Sequence, residues 1–251
     1  MSNNNILEID AKGIYYRDLN RILKEKILEN SFKKVILKNV YGQRYIGTNL
    51  KREIEIEIFG TPGQDLGAFM DGPRIKVFGN VQDGCGNTLN SGEIIVYGNA
   101  GDILGMSARG GEIYIKGNVG YRCVIHMKEY KDKVPVVVIG GTSQDFFGEY
   151  MAGGIVIMLG LNLKEGEIHR ANFIGTGMHG GVIYIRGKFD DKKLGKEVGI
   201  SALNGRDFKI IKKYIDKFSK YFGIAVDEIF SKKFHKLLPV SLRPYGKLYA
   251  Y

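Results

Sequence analysis

Residues 93–117, EIIVYGNAGDILGMSARGGEIYIKG, contain one short apolar run twice, EIIVYG and EIYIKG, ending on Gly98 and Gly117. The same run with the same ending stands one interval earlier as RIKVFG at Gly79 and one before that as IEIEIFG at Gly60, so four glycines are spaced by 19 residues. VVVIG at Gly140, IVIMLG at Gly160 and VIYIRG at Gly187 continue the series at intervals of 23, 20 and 27. A fixed interval of this size is the signature of a solenoid, in which each repeat buries its apolar face only by stacking on its neighbours.

Aligning the coils on the terminal glycine sorts the residues into columns. Two places before it stand Ile58, Val77, Val96, Ile115, Val138, Met158 and Ile185; four places before it stand Ile56, Ile75, Ile94, Ile113, Val136, Val156 and Ile183. Strand side chains alternate between faces, so these aliphatic columns are assigned to the core. The positions between them are charged in early coils (Glu57, Lys76) and apolar in later ones (Val137, Ile139, Ile157, Leu159). The later part of the outer face therefore needs a cover, either the C-terminal helix or another protein.

Each coil carries a second element: LGAFM (66–70), CGNTL (85–89), LGMSA (104–108), CVIHM (123–127), FGEYM (147–151) and IGTGM (174–178). Its second column is Gly67, Gly86, Gly105, Gly148 and Gly175, with Val124 as the exception. Glycine repeated at a bend points to positive φ or close backbone approach. Two or more strands per coil joined by such bends predict an all-β fold, a single-chain parallel β-helix of about seven coils.

Three segments follow: an N-terminal strand and capping helix (1–34), the β-helix (35–190) and a C-terminal helical segment with an extended tail (191–251). The first coil is placed at VILKNV (35–40), with Tyr41 in the terminal-glycine column. Residues 6–10 read as a strand and 14–29 as a helix closing the open end of the stack. Phe208, Ile211, Ile215, Phe218 and Phe222 share one face of a helix over 207–222, and Lys212, Lys213, Lys217 and Lys220 take the rest. A second helix is expected over 226–236, and Pro239 and Pro244 then hold the tail extended.

The formal charge is +10, and residues 206–251 hold eleven Lys/Arg against four Asp/Glu. A basic surface attracts anionic partners, but the repeats lack the stripe of cations and stacking aromatics of a nucleic-acid groove. No apolar run is long enough for a membrane helix, and MSNNN lacks the order of a signal peptide, so a cytoplasmic protein is expected. Cys85 and Cys123 are 38 residues apart and share an inward column. Two coils at about 4.8 Å each separate them by roughly 10 Å, beyond the ~7 Å reach of a disulfide, so two reduced thiols are predicted.

Motifs of catalysis are weak. Gly175-x-Gly177-x-x-Gly180 has the spacing of a dinucleotide fingerprint but leads into VIYIRG, a strand, where a helix is required. Ser107 in GMSAR approaches a nucleophile elbow, but Arg109 stands where glycine is needed. His126, His169, His179 and His235 show no metal-ligand spacing and read as surface hydrogen-bonding residues. Asp65, Asp83, Asp102 and Asp145 recur before the bend as turn residues. Two coils are enlarged, around KEYKDK (128–133) and within LNLKEGEIHRANF (161–173). Insertions in repeat proteins often form the binding face. Lys128, Glu129, Tyr130 and His169, with Val137, Ile139, Ile157 and Leu159, are thus the candidate partner interface.

The stretches GNAGDILGMSARGGEIYIKGNVG (98–120), GTSQDFFGEYMAGGIVIMLG (141–160) and GTGMHGGVIYIRG (175–187) resemble the GXGXG domain of glutamate synthase, over about residues 35–190. The flanks resemble those of stand-alone versions, the third piece of a split large subunit; the similarly coiled subunit of formylmethanofuran dehydrogenase is a more distant likeness. The resemblance implies a right-handed β-helix with no catalytic, cofactor or metal residue of its own. It implies partners: a glutamine amidotransferase and a synthase that bears FMN and an iron–sulfur cluster, together converting glutamine and 2-oxoglutarate to glutamate. The isolated chain is expected to be inactive and able to self-associate. A scaffold in another oxidoreductase and a free-standing esterase using Ser107 are the rival readings.

Overall fold

The computed structural model describes residues 5–29 and 32–241. One sheet of eleven strands runs the length of the chain. Its parallel part is β1 (Ile6–Asp10), β2 (Lys34–Tyr41), β3 (Glu55–Thr61), β4 (Asp71–Phe78), β5 (Ser91–Val96), β6 (Glu112–Ile115), β7 (Val136–Ile139), β8 (Ala152–Met158) and β9 (Gly180–Arg186), stacked in sequence order. The solenoid makes about six turns, close to the number expected. Helix α1 (Tyr16–Glu29) follows β1 and buries Leu19, Leu23 and Ile27 in the core. A helix was expected over 14–29, and its apolar side packs on the first coils.

Each coil has one strand, where two or more were expected. The other corner is an array of turns in which alternate residues are left-handed, such as Arg122 (φ 53°), Val124 (57°) and His126 (54°). Arg122 N–H donates to Asp145 O (3.0 Å) and His126 N–H to Glu149 O (3.1 Å) in the next coil; Val124 N–H donates to Leu104 O (2.7 Å) in the previous one. The amides of successive left-handed residues point alternately up and down the stack, and those between them bond within the turn, as Met127 N–H does to Val124 O (3.2 Å), so a corner satisfies its backbone without being a strand. Left-handed backbone costs an L-residue about 1–2 kcal/mol, and glycine fills this column at five of the six positions in the aligned turns.

Side-chain ladders reinforce the segment that leads from each strand into the turns. Asn99 N–H donates to Asn80 Oδ1, Asn118 N–H to Asn99 Oδ1 and Thr142 N–H to Asn118 Oδ1, each at 2.8 Å. Asp83 and Asp102 accept from Asp102 N–H and Tyr121 N–H at 2.9 Å in the same way. The asparagine ladder explains Gly98 and Gly117, where a Cβ would sit 2.3 Å from Asn80 Oδ1 and 2.2 Å from Asn99 Oδ1; at Gly60 and Gly79 a Cβ would instead meet backbone of the preceding coil, Val40 O at 2.1 Å and Gly60 O at 2.2 Å.

It also corrects one coil. A Cβ on Gly141, not Gly140, would meet Asn118 Oδ1 at 2.2 Å, and Gly141 N–H donates to Gly117 O. The register is Ile113↔Val137 and Ile115↔Ile139. Val137 and Ile139 therefore lie in the inner core, while Val136 and Val138 face outward. The insertion before β7 lengthens this coil, and the Gly140–Gly141 doublet offers two anchors one residue apart; a slip of one exchanges the faces of a strand. The first coil shifts too: a bulge between Leu37 and Val40 pairs Val40 with Gly60 and Tyr41 with Thr61.

The inner core takes the corrected aliphatic columns together with Leu66, Cys85, Leu104, Cys123, Phe147 and Ile174 from the turns. Both cysteines are buried and unbridged. Burial pushes both thiols up, that of Cys123 to about 12.

After β9 the chain forms β10 (Val198–Ser201), α2 (Gly205–Phe222), α3 (Val226–Phe230) and β11 (Phe234–Pro239). The helix expected over 226–236 is thus shorter, and β11 pairs antiparallel with β9 and β10. Pairing covers what would otherwise be the open edge of β9, and this tertiary gain overrides local helical pattern. Pro244 and the tail beyond 241 lie outside the described residues.

Candidate interaction surface

The outer face changes character along the stack. Its middle column runs Glu57, Lys76, Ile95, Tyr114, Val138, Ile157 and Tyr184. From Ile95 onward these side chains are buried under Ile211, Tyr214, Ile215, Phe218 and Phe222 of α2, with Ile229 and Phe234 beyond. The helix is started by Asn204, whose side chain accepts from Arg206 and Asp207 N–H while Asp207 caps in return, and stopped by left-handed Gly223. The chain's own α2 is the cover. Ile157 and Leu159 are consequently buried and do not form an open partner surface.

A polar seam borders this contact. Lys217 Nζ lies 3.0 Å from Glu93 Oε1 and 2.6 Å from Glu112 Oε2. Arg74 Nε reaches Glu93 Oε2 at 2.6 Å, Tyr221 donates to Glu93 and Tyr114 to Glu112. A groove of about 680 Å³ opens beside it, lined by Glu55, Arg74, Glu93 and Glu112. The carboxylates, lysine and two phenols would suit acid–base chemistry, but each is committed to a partner. Burial raises the Glu93 carboxyl, yet Lys217 and Arg74 outweigh it and hold the group below the ordinary carboxylate range. Burial lowers Lys217, and Glu112 and Glu93 outweigh that and raise it. Tyr114 is pushed far up, mainly by burial, and Tyr221 to about 12 for the same first reason. Glu93, Lys217, Tyr114 and Tyr221 are all held away from neutral pH.

The seam gives stability a pH dependence with a definite sign. Glu93 is depressed, so its contribution is present above the unfolded value of about 4.3 and lost as pH falls through the folded value. Lys217 is raised, so its contribution is present below about 10.4 and lost as pH rises through its folded value. Urea midpoints should be level between about pH 7 and 9; they should fall below about 6.5, where His169, whose pKa burial lowers, is driven to protonate, further below about 4.3 as Glu93 is neutralised, and above about 10.4 as Lys217 loses its proton. Lys217→Met should lower the plateau and flatten the limbs of Glu93 and Lys217; limbs identical to wild type would contradict the assignment.

Beyond the seam, Arg186 is 4% exposed and has no carboxylate partner among the described residues. Its guanidinium donates to Leu159 O (3.1 Å), Ile229 O (2.5 Å), Glu228 O (3.0 Å) and Ser231 Oγ (3.3 Å). Asp207 is held by Tyr184 Oη at 2.7 Å and Lys236 Nζ at 2.8 Å. Together they clamp α2 and α3 to β9 and β11.

The family model described as GXGXG motif matches residues 20–242. The chain belongs to the GXGXG family. An uncharacterized protein of Methanocaldococcus jannaschii is similar at 52% identity over 248 residues, covering 96% of this chain and 95% of the relative. The GXGXG assignment agrees with the resemblance to the glutamate synthase domain read from the sequence.

In this GXGXG chain the enlarged coils are tied down. Tyr130 and Lys133 exchange backbone hydrogen bonds at 3.1 Å, Glu129 accepts from Gly154 N–H at 3.1 Å, and Lys133 pairs with Asp71 at 3.1 Å. Lys128 is half-buried. Tyr130 remains 37% exposed, with Arg109 and Lys131 near its ring, so this loop is accessible. His169 is not a surface residue: it is 1% exposed, and its Nε2 lies 2.9 Å from Arg186 O. Burial lowers its pKa and favours the neutral ring. Nε2 then donates to the carbonyl, and Nδ1 has no partner among the described residues.

The remaining motifs are structural parts of the GXGXG coil. Gly175 and Gly177 are turn residues and Gly180 opens β9, so no helix N-terminus follows. Ser107 occupies a left-handed turn position (φ 54°), and no histidine bonds its hydroxyl among the described residues. His126 stacks on Tyr150 at 5.5 Å, His179 Nδ1 meets Gly177 O and His235 packs edge-on to Phe189. Among the described residues no group of three His, Cys, Asp or Glu could hold a metal, and no helix is long and apolar enough to cross a membrane. The motifs do not reveal the polar seam, although Arg74, Glu93 and Glu112 recur at 19-residue intervals. Arg186 is marked only as one of two cations, with Lys116, in the otherwise aromatic and aliphatic column of Phe59, Phe78, Tyr97 and Leu159.

Proposed function

We propose that this chain is the β-helical scaffold of a glutamate synthase-type complex. It would hold a glutamine amidotransferase subunit and an FMN- and iron–sulfur-containing synthase subunit in register. The observation that carries the reading is the extent of the GXGXG match, which takes in residues 20–242. The polar groups of the outer face are committed to holding α2, which supports a structural role for this chain. The chemistry, glutamine plus 2-oxoglutarate to glutamate, would belong to the partners.

The test is purification of a tagged chain from its own cells. The expected result is a complex with flavin absorbance that forms glutamate from glutamine and 2-oxoglutarate, while the chain alone is inactive. A chain recovered without any amidotransferase or flavoprotein overturns the proposal. Tungsten or molybdenum in the complex, in place of flavin, would assign the scaffold to the other oxidoreductase class.

A further inference from the structure

We infer that the outward face of α2 is a docking surface for an acidic region of a partner protein. The inference deepens the scaffold reading and rests on it. From Ile211 to Phe222 the apolar face of α2 is spent on the sheet, while Phe208, expected on the same face, stays 51% exposed at its start. Its opposite face exposes Arg206, Lys209, Lys212, Lys213 and Lys220, with Asp216 as the acid among them. Lys212 occupies that acid at 2.7 Å. Among the described residues, Arg206, Lys209, Lys213 and Lys220 have no carboxylate partner within salt-bridge distance.

Charge of one sign on a rigid helix selects its complement. A membrane surface is a poor fit, because the helix leaves Phe208 as its one large exposed apolar side chain among the described residues, too little to insert in an interface. A protein fits better than a nucleic acid, because the cations adjoin apolar anchors rather than a row of stacking rings. Phe208 is 51% exposed in the first turns of α2, and Ile200 is 51% exposed on β10. The two elements adjoin: Lys236 is in register with Ser201 of β10 and its Nζ holds Asp207 of α2. β10 is also the last strand of the sheet, paired on one side by β11. Exposed aromatic and aliphatic side chains beside a cationic rim are the composition of a protein interface.

The experiment compares the tagged full-length chain with its Lys209→Glu/Lys213→Glu/Lys220→Glu variant, both purified from native cells. Carbodiimide, which joins lysine amines to carboxylates without a spacer, is applied to the wild-type complex before mass spectrometry. Three outcomes are expected together. Partner retained per chain falls at least about tenfold in the variant at low salt. The wild-type complex loosens between about 0.1 and 0.5 M salt, as screening shortens the reach of exposed charges. Lys209 or Lys213 is found coupled to Asp or Glu of the partner. Full retention by a variant that unfolds at the wild-type temperature, with cross-links elsewhere, overturns the docking surface and leaves the scaffold reading standing. If the variant misfolds, the wild-type cross-links decide alone. A wild-type chain that retains no protein overturns both readings. Duplex DNA that displaces the partner at equal salt would mark the face as a nucleic-acid surface and overturn the proposal.

Discussion

Arg186→Met is expected to loosen the C-terminal helices from the solenoid and to destabilise the protein by about 3 kcal/mol. Methionine matches much of the volume but has no donor. Leu159 O, Ile229 O and Glu228 O would each lose a charge-assisted hydrogen bond in a place that is 4% exposed. Relief of the buried charge offsets part of the loss, which is why the figure stays below the sum of four such bonds. For a chain of this size the unfolding temperature should fall by roughly 6–12 °C. Limited proteolysis should cut first between α2 and β11, the segment that the guanidinium holds. Arg186→Lys should rescue little, because one ammonium cannot span acceptors contributed by the end of β8, α3 and the turn after it. A variant with the wild-type unfolding temperature and cleavage pattern would show that apolar packing of α2 alone holds the segment.

Gly60→Ala should cost on the order of 3–5 kcal/mol, from strain and overpacking together. Gly60 has φ +126°, outside the range that L-residues tolerate, and a Cβ would stand 2.1 Å from Val40 O and 3.1 Å from Val40 N. These are backbone atoms of the neighbouring coil, so no rotamer change relieves the clash. A fall in unfolding temperature of about 10 °C follows. Gly166→Ala is the control: φ is also positive, +83°, but nothing lies within 4 Å of its Cβ. Strain alone should cost it about 1 kcal/mol. Equal losses in the two variants would mean that coil-to-coil approach is not what excludes a side chain at position 60.

The contrast between those glycines shows why so much of the fold is legible in the sequence. In a solenoid, a residue's tertiary neighbour is its counterpart one repeat away. Gly79, Gly98 and Gly117 therefore report long-range contacts through a local period, and so do the inward columns and the two buried cysteines. Legibility fails where the period fails. The insertion at 128–133 and the doublet Gly140–Gly141 move the anchor by one residue, so alignment on Gly140 sends Val137 and Ile139 outward although they lie within. His169 reads as a surface residue of an insertion that in fact folds back until its ring meets Arg186 O.

The interaction surface is less legible than the fold. The amphipathic pattern of 207–222 is enough to predict a helix with one buried face. It cannot select that helix over a partner protein as cover for the later coils. That choice depends on Lys217 meeting Glu93 across 124 residues and on Arg186 meeting Ile229 O across 43. No period relates those positions, so no alignment of repeats could pair them.

By itself, the sequence determined the β-helix, the helix near its first end, the unbridged cysteines and the resemblance to the GXGXG family. All of these follow from side-chain volume and backbone freedom repeated at a constant interval. Only the tertiary structure decided which face of β7 is buried, that corners are left-handed turns and not strands, and that the chain covers its own apolar patch. It thereby decided which side of α2 is spent on the sheet and which is left exposed, the basic one. The reason is physical: stacking contacts repeat with the chain, whereas docking of a terminal helix is settled by particular polar groups that must each find a partner once water is removed.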